Sequence, residues 1–149
     1  MNGMRPGMES RRSTEGPLPL PAGDPVPVLF DTTQLALERA ISGASTRQEA
    51  LAANIANADT PGYRRVDVDF HGALAAAMGS TDRSSALERT GFSPTVDKSV
   101  GATRADGSTV DMDSEQAKMA ANALEQQAAV QVATARISIL KMAIGGSGA

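Results

Sequence analysis

The sequence predicts a mainly α protein. Its N- and C-terminal heptad helices pair as an antiparallel coiled coil around a short β and irregular middle segment. Three observations carry this. Near both ends of the chain, apolar residues recur at alternating steps of four and three, the spacing of a heptad seam rather than of a broad globular face. Alanine supplies much of the 41% apolar fraction while aromatics make up 3%, a composition that favours helix and buries little area per residue. Between the two periodic stretches, Gly, Pro, Ser, Thr and Asp break the pattern.

Residues 1–27 carry Pro17, Pro19, Pro21, Pro25 and Pro27 among Gly, Ser and Arg, and read as a disordered or polyproline-like extension. The N-terminal helical segment spans 28–59. Order is expected to begin at Val28-Leu29-Phe30, and Asp31 with Gln34 has the form of a capping box. The seam is Leu37, Ile41, Ala44, Leu51, Ile55 and Ala58, with Gln48 as a polar residue tolerated within it. Pro61 drives Thr60 out of the α region, so the helix should stop by about Ala58 or Asp59. Pro61-Gly62 suits the centre of a type II turn. Asn54 and Asn57 are placed to satisfy the last helical carbonyls.

The turn, strand and loop segment is 60–110. Val66, Val68 and Phe70 alternate with Arg65, Asp67 and Asp69, which predicts a half-buried strand ended by His71-Gly72, with a helical turn at 73–78. Asp67 and Asp69 share a face and read as solvated. Residues 79–110 are expected to be a long loop with one or two short strands, and Asp106-Gly107 is a turn signal. The C-terminal helix spans 111–145, with Asp113 and Gln116 as a capping box and acidic residues at its positive end. Its seam is Met112, Gln116, Met119, Ala123, Gln126, Val130, Ala133, Ile137, Leu140 and Ile144. Residues 146–149 form a flexible tail. These seams are weak, so the chain is expected to be largely disordered as a free monomer and ordered by neighbours.

Chemistry is sparse. The 149 residues contain one histidine and no cysteine, which removes disulfides, thiolate metal sites and ordinary histidine-dependent catalysis. The 111–115 acidic run fails as a calcium loop, because Gln116 stands where glycine is needed and Asn122 where a bidentate glutamate is needed. No catalytic, cofactor or metal residues are assigned, and an enzyme is not expected. A net charge of −3 argues against a nucleic-acid surface. No apolar run near the roughly 18 residues of a membrane span is apparent. Arg5, Arg11 and Arg12 lack a following apolar region, so no cleavable secretory signal is expected.

The run from Ala52 through Asn54, Ile55 and Asn57 to Asp59-Thr60-Pro61-Gly62-Tyr63 resembles the signature of the flagellar basal-body rod protein family, nearest to its proximal-rod members. The stretch from Asp106 to Leu124 and the closing stretch from Arg136 to Ile144 also fit, so the resemblance covers about 28–145. The sequence departs from the family at its 27-residue extension, at Ala53, at Gln116 and around Arg89-Thr90. The resemblance implies a structural subunit, not an enzyme. It implies helical self-assembly that transmits torque from the membrane ring to the distal rod and hook, and export through the flagellar type III apparatus without signal cleavage. The implied location is the basal-body rod in the periplasmic space. Implied partners are copies of itself, the proximal rod protein FlgC, the ring–rod junction protein FliE, and the MS ring; no nucleic acid or small-molecule substrate is expected. Asn54, Ile55, Asn57, Asp59, Thr60, Pro61, Gly62 and Tyr63 then form an assembly motif, and Leu37, Ile41, Leu51, Ile55, Met119, Val130, Ile137, Leu140 and Ile144 the coiled-coil seam. The alternatives are another rod subunit such as FlgC, or a helical-hairpin adaptor or chaperone of a type III secretion system.

Overall fold

The computed structural model describes residues 32–98 and 103–145. The extension 1–27, the apolar start at 28–30, the Asp31 cap and the 146–149 tail lie outside the described residues. Six elements follow in order: α1 (Thr32–Ala56), β1 (Val66–Asp67), α2 (Phe70–Met78), α3 (Arg83–Arg89), β2 (Thr95–Val96) and α4 (Met112–Gly145). α1 is the central element. It packs against α4, α2, α3 and β1. α1 and α4 meet with opposite chain directions: Asn54 reaches Glu115, while Ala44 and Gln48 both reach Asn122.

The core is small. Ala44, Ala50, Val68 and Phe70 form it, with Val66 and Phe92 packed alongside. Phe92 meets Phe70 edge to face at 6.4 Å. Leu51, Leu87 and Val110 are fully buried near it. Gly43 lets the Phe70 ring reach α1, because a Cβ there would lie 2.6 Å from Phe70 Cβ. A glycine inside a helix costs about 0.5–1 kcal/mol relative to alanine, so close packing is what it is kept for.

Four expectations need correction. First, the strand after the turn covers only Val66–Asp67, paired antiparallel with β2 at Val66↔Val96 and Asp67↔Thr95. Asp69 ends it. Its carboxylate accepts from the Gly72 N–H at 2.9 Å and caps α2, so Phe70 and His71 are helical. The alternation still marks burial, since Val68 and Phe70 are both buried. Second, the 79–110 stretch contains the helix α3, capped by Asp82 accepting from the Ser85 N–H at 3.1 Å. Hydrogen bonds from Ser85 hold the Asp82 carboxyl below the usual carboxylate range.

Third, α4 is capped by Asp111 rather than Asp113. Asp111 Oδ1 accepts from the Asp113 and Ser114 N–H groups at 3.1 and 3.3 Å. Fourth, the face of α4 packed on the rest of the chain is rotated from the expected seam. Glu115 and Asn122 are its buried residues, and Met119, Gln126, Ala133 and Leu140 continue it half-buried. Val130, Ile137 and Ile144 are exposed. Two buried polar residues take positions that an apolar pattern assigns to their neighbours: Glu115 is bonded through both oxygens, and Asn122 through Nδ2, with its Oδ1 left without a partner. Gln48 is likewise more than tolerated: its Oε1 accepts from Asn122 Nδ2 at 2.7 Å. On α1, Leu51 is buried and Leu37, Ile41 and Ile55 are half-buried. By length and composition alone, α4 is also long and apolar enough to cross a membrane, which the broken runs of the sequence did not suggest.

Gly43→Ala should lower the unfolding free energy by about 1–3 kcal/mol through overpacking against Phe70, read by urea titration. Gly91→Ala, where a Cβ meets nothing within 4 Å, should leave the midpoint within about 0.5 kcal/mol of the parent. Equal effects at the two sites would contradict the packing assigned to Gly43.

Candidate functional site

The stretch after α1 builds a joint from backbone upward. The last turn tightens as Ala58 N–H donates to Ile55 O at 3.2 Å, and Asn57 Nδ2 donates to Ala53 O at 2.9 Å. That satisfies one of the carbonyls a helix end leaves open. Thr60 binds Asn57 twice, N–H to O at 3.0 Å and Oγ1 to Oδ1 at 3.3 Å. The Tyr63 N–H then donates to Thr60 O at 3.1 Å, closing a turn over residues 60–63 with Gly62 at φ 73°. Only glycine takes that left-handed conformation without strain.

A second glycine turn locks onto the first. Gly107 has φ 81° and donates its N–H to Arg104 O at 2.9 Å. The two turns cross so closely that a Cβ on Gly107 would lie 3.4 Å from Gly62 Cα. Gly62 N–H donates to Asp106 O, and Thr109 N–H to Tyr63 O, at 3.0 and 3.1 Å. Arg65 N–H donates to Thr109 Oγ1 at 2.9 Å. Ser108, fully buried, donates its hydroxyl to Ala58 O at 3.4 Å. The segment just before α4 is thereby tied to the segment just after α1.

Below the turns lies a buried polar node. Asn54 is fully buried, and its amide behaves as a missing strand beside β1. Nδ2 donates to Val66 O at 2.7 Å and Oδ1 accepts from Val66 N–H at 3.0 Å. The same Nδ2 donates to Glu115 Oε2 at 2.7 Å, and Tyr63 OH reaches Asn54 Oδ1 at 3.4 Å. Glu115, 1% exposed, accepts from Arg65 Nη1 at 2.8 Å and Lys118 Nζ at 3.0 Å through Oε1. The Arg65 guanidinium also pairs with Asp97, next to β2. Asn54 and Arg65 therefore bring α1, β1, the β2 segment and α4 onto one carboxylate. A burial this complete is tolerable because each charged group has an oppositely charged partner, although the buried Arg65 Nε–H makes no hydrogen bond.

Of the motif residues read from sequence, Asn54, Gly62 and Tyr63 meet in this joint, and Asn57 caps α1 as expected. Asn54 does not cap the helix; its amide is spent on Val66 and Glu115. Ile55 is half-buried, and Asp59, Thr60 and Pro61 stand exposed at the tip. Arg65, Asp97, Glu115, Ser108 and Thr109 went unrecognised. From sequence Glu115 is only an acid at a helix start, although its i,i+3 spacing to Lys118 is visible. Asp67 is not solvated but holds Arg47 in a two-pronged pair, at 2.9 and 3.3 Å. His71 is largely exposed, 3.4 Å from Glu125 across on α4. Among the described residues no cluster of three His, Cys, Asp or Glu could hold a metal. The arrangement holds segments together; it offers no nucleophile–base pair to a substrate.

Comparison with known proteins bears on the same stretch. The family described as "Flagella basal body rod protein" matches residues 35–64. The flagellar basal body rod protein FlgB of Escherichia coli (strain K12) is 36% identical over 115 residues, covering 67% of this chain and 83% of the relative. FlgB of Cereibacter sphaeroides (strain ATCC 17029 / ATH 2.4.9) is 37% identical over 117 residues, covering 68% and 84%. FlgB of Aeromonas hydrophila is 31% identical over 132 residues, covering 80% and 97%.

Glu115→Ala should cost about 3–5 kcal/mol of stability, because it removes the buried acceptor shared by Arg65 Nη1, Lys118 Nζ and Asn54 Nδ2 and leaves Arg65 only its pair with Asp97. Urea denaturation of the purified chain measures this. A loss under about 1 kcal/mol, the worth of an exposed pair, would contradict the node.

Proposed function

The chain belongs to the FlgB family of flagellar basal body rod proteins and is a structural subunit of the flagellar rod, and from that premise we propose how it assembles. It packs helically against copies of itself, with α1 and α4 contributing to an inner coiled-coil layer. FlgC and FliE are its neighbours along the axis, and it sits above the MS ring in the periplasmic space. The rod so built carries torque outward to the hook. Export precedes assembly, through the flagellar type III apparatus and without signal cleavage.

One observation carries the self-assembly reading. The side of α4 turned away from α1 exposes Leu124, Val132, Ile139 and Met142, and its flank exposes Val130, Ile137 and Ile144. Ala117, Ala121, Ala128 and Ala135 fill the spaces along the outer stripe, with steps of three and four. A charge-free stripe of that period matches a second helix. An apolar surface this long is rare on a chain that works alone. The exposed tip at Asp59, Thr60 and Pro61 is the second contact surface, held in place by the buried node behind it. In this reading the distal half of α4, with little of its surface covered, completes its order on assembly. Helical circular dichroism per residue should therefore rise from the isolated chain to the assembled rod, and equal values would contradict this.

Leu124→Asp combined with Ile139→Asp should leave the joint folded yet remove the subunit from purified basal bodies and abolish swimming. Immunoblots of basal-body fractions and soft-agar motility measure it. Normal incorporation of the double variant would overturn the assigned surface.

A further inference from the structure

α4 carries two exposed apolar stripes, and they differ in period. On the flank, Ala123, Val130, Ile137 and Ile144 recur every seven residues. On the outer side, Ala117, Ala128 and Ile139 recur every eleven, and so do Ala121, Val132 and Ala143. All of these are exposed, and none is charged. At about 100° per residue, the flank lies beside the face packed on α1, and the outer stripe lies on the side of the helix opposite the flank. A seven-residue repeat winds its partner left-handed, and an eleven-residue repeat winds it right-handed. One helix laid on α4 cannot follow both, so the stripes are two surfaces rather than one broad face.

A lipid surface takes a helix with one apolar side backed by a charged one, and a spanning helix is apolar all round. α4 is long and apolar enough to span, yet Gln116, Gln127 and Thr134 separate its stripes on one side, and Lys118 and Glu125 on the other. Two opposite stripes fit two helices instead. From Ala117 to Ile144 is ~40 Å of helix about 10 Å wide, so one stripe offers about 400 Å². A stable specific pair buries about 800 Å² on each partner. A symmetric dimer uses the same patch on both copies, so it would fall short and leave the other stripe bare. Both halves of an unlike contact are present on this one chain, which is what an open head-to-tail series needs. We propose that the flank stripe of one copy packs on the outer stripe of the next copy's α4. A copy with a neighbour on each side then reaches the area of a stable interface, while a lone pair does not. A subunit is held firmly only where it is gripped on both sides. This inference rests on the place of the chain as a rod subunit.

Because the chain has no cysteine, engineered ones report the contact directly. Cells make full-length Val130→Cys, on the flank, together with a differently tagged Ala121→Cys, Val132→Cys or Ala143→Cys, on the outer side. These exchanges keep side-chain volume nearly constant. Purified basal bodies are treated with a bismaleimide spanning ~10 Å, about one helix diameter. At least one mixture should give a cross-linked dimer carrying both tags, and each variant made alone should stay monomeric. A variant that cross-links to itself, or three incorporated mixtures without the mixed dimer, overturns the inference. Absence of the parent chain from basal bodies would sink the rod placement instead. Sedimentation equilibrium of the purified parent chain gives a reading that needs no variant. It should be monomeric at micromolar concentration, and a stable dimer overturns the inference.

Discussion

A single carboxylate sets the terms for the rest of this molecule. Glu115 sits in the first turn of α4, closed off from water, and four elements converge on it through Arg65, Asn54 and Lys118. Desolvating a carboxylate is costly unless partners surround it. The fold therefore closes in full or leaves a charge stranded. Asn54 makes the same demand from the other side, because its amide replaces the missing neighbour of a two-residue strand. A two-stranded ribbon this short has no independent stability. It persists because Asn54 and Arg65 fasten its ends to the helices.

This explains how so small a core holds a defined joint. Apolar contacts at Phe70, Val68 and Ala44 keep α2 and the ribbon on α1. Directional hydrogen bonds then fix the register, which alanine-rich surfaces specify poorly. Asn122 and Gln48 do this between the long helices, as a polar pair within a seam does at some cost in stability. The crossed turns at Gly62 and Gly107 do it between the segments leaving α1 and entering α4. A rod subunit gains from this division. The joint has one geometry, while the apolar outer side of α4 remains open to partners.

Much of this was legible in the sequence, for physical reasons. Pro61-Gly62 allows few backbone conformations, so the helix stop and the turn could be placed. The long helices announced themselves by period. What could not be read depends on partners far away in sequence. The alternation at Val66, Val68 and Phe70 gave burial but not strand length, because a cap at Asp69 outweighs β propensity. α3 has one fully buried side chain, Leu87, too little for a period. The α4 face is not legible as an apolar period because its buried residues are Glu115 and Asn122. Polar residues enter a core only with their partners, and Arg65 and Ala44 lie 50 and 78 residues away. Asn54 was singled out for its amide, yet its true bonds run across the joint rather than along the helix.

The central claim is that the ribbon and the two long helices open as one unit because they share the Glu115 node. Native-state hydrogen exchange on the full chain tests it most directly, since cooperative units reveal themselves by common opening free energies. The account predicts that the amides of Val66, Asp97 and Thr109 exchange with the same opening free energy, within about 1 kcal/mol, as the amides of Lys118 and Met119 in α4. Ribbon amides that exchange freely while those of α4 stay protected would contradict it.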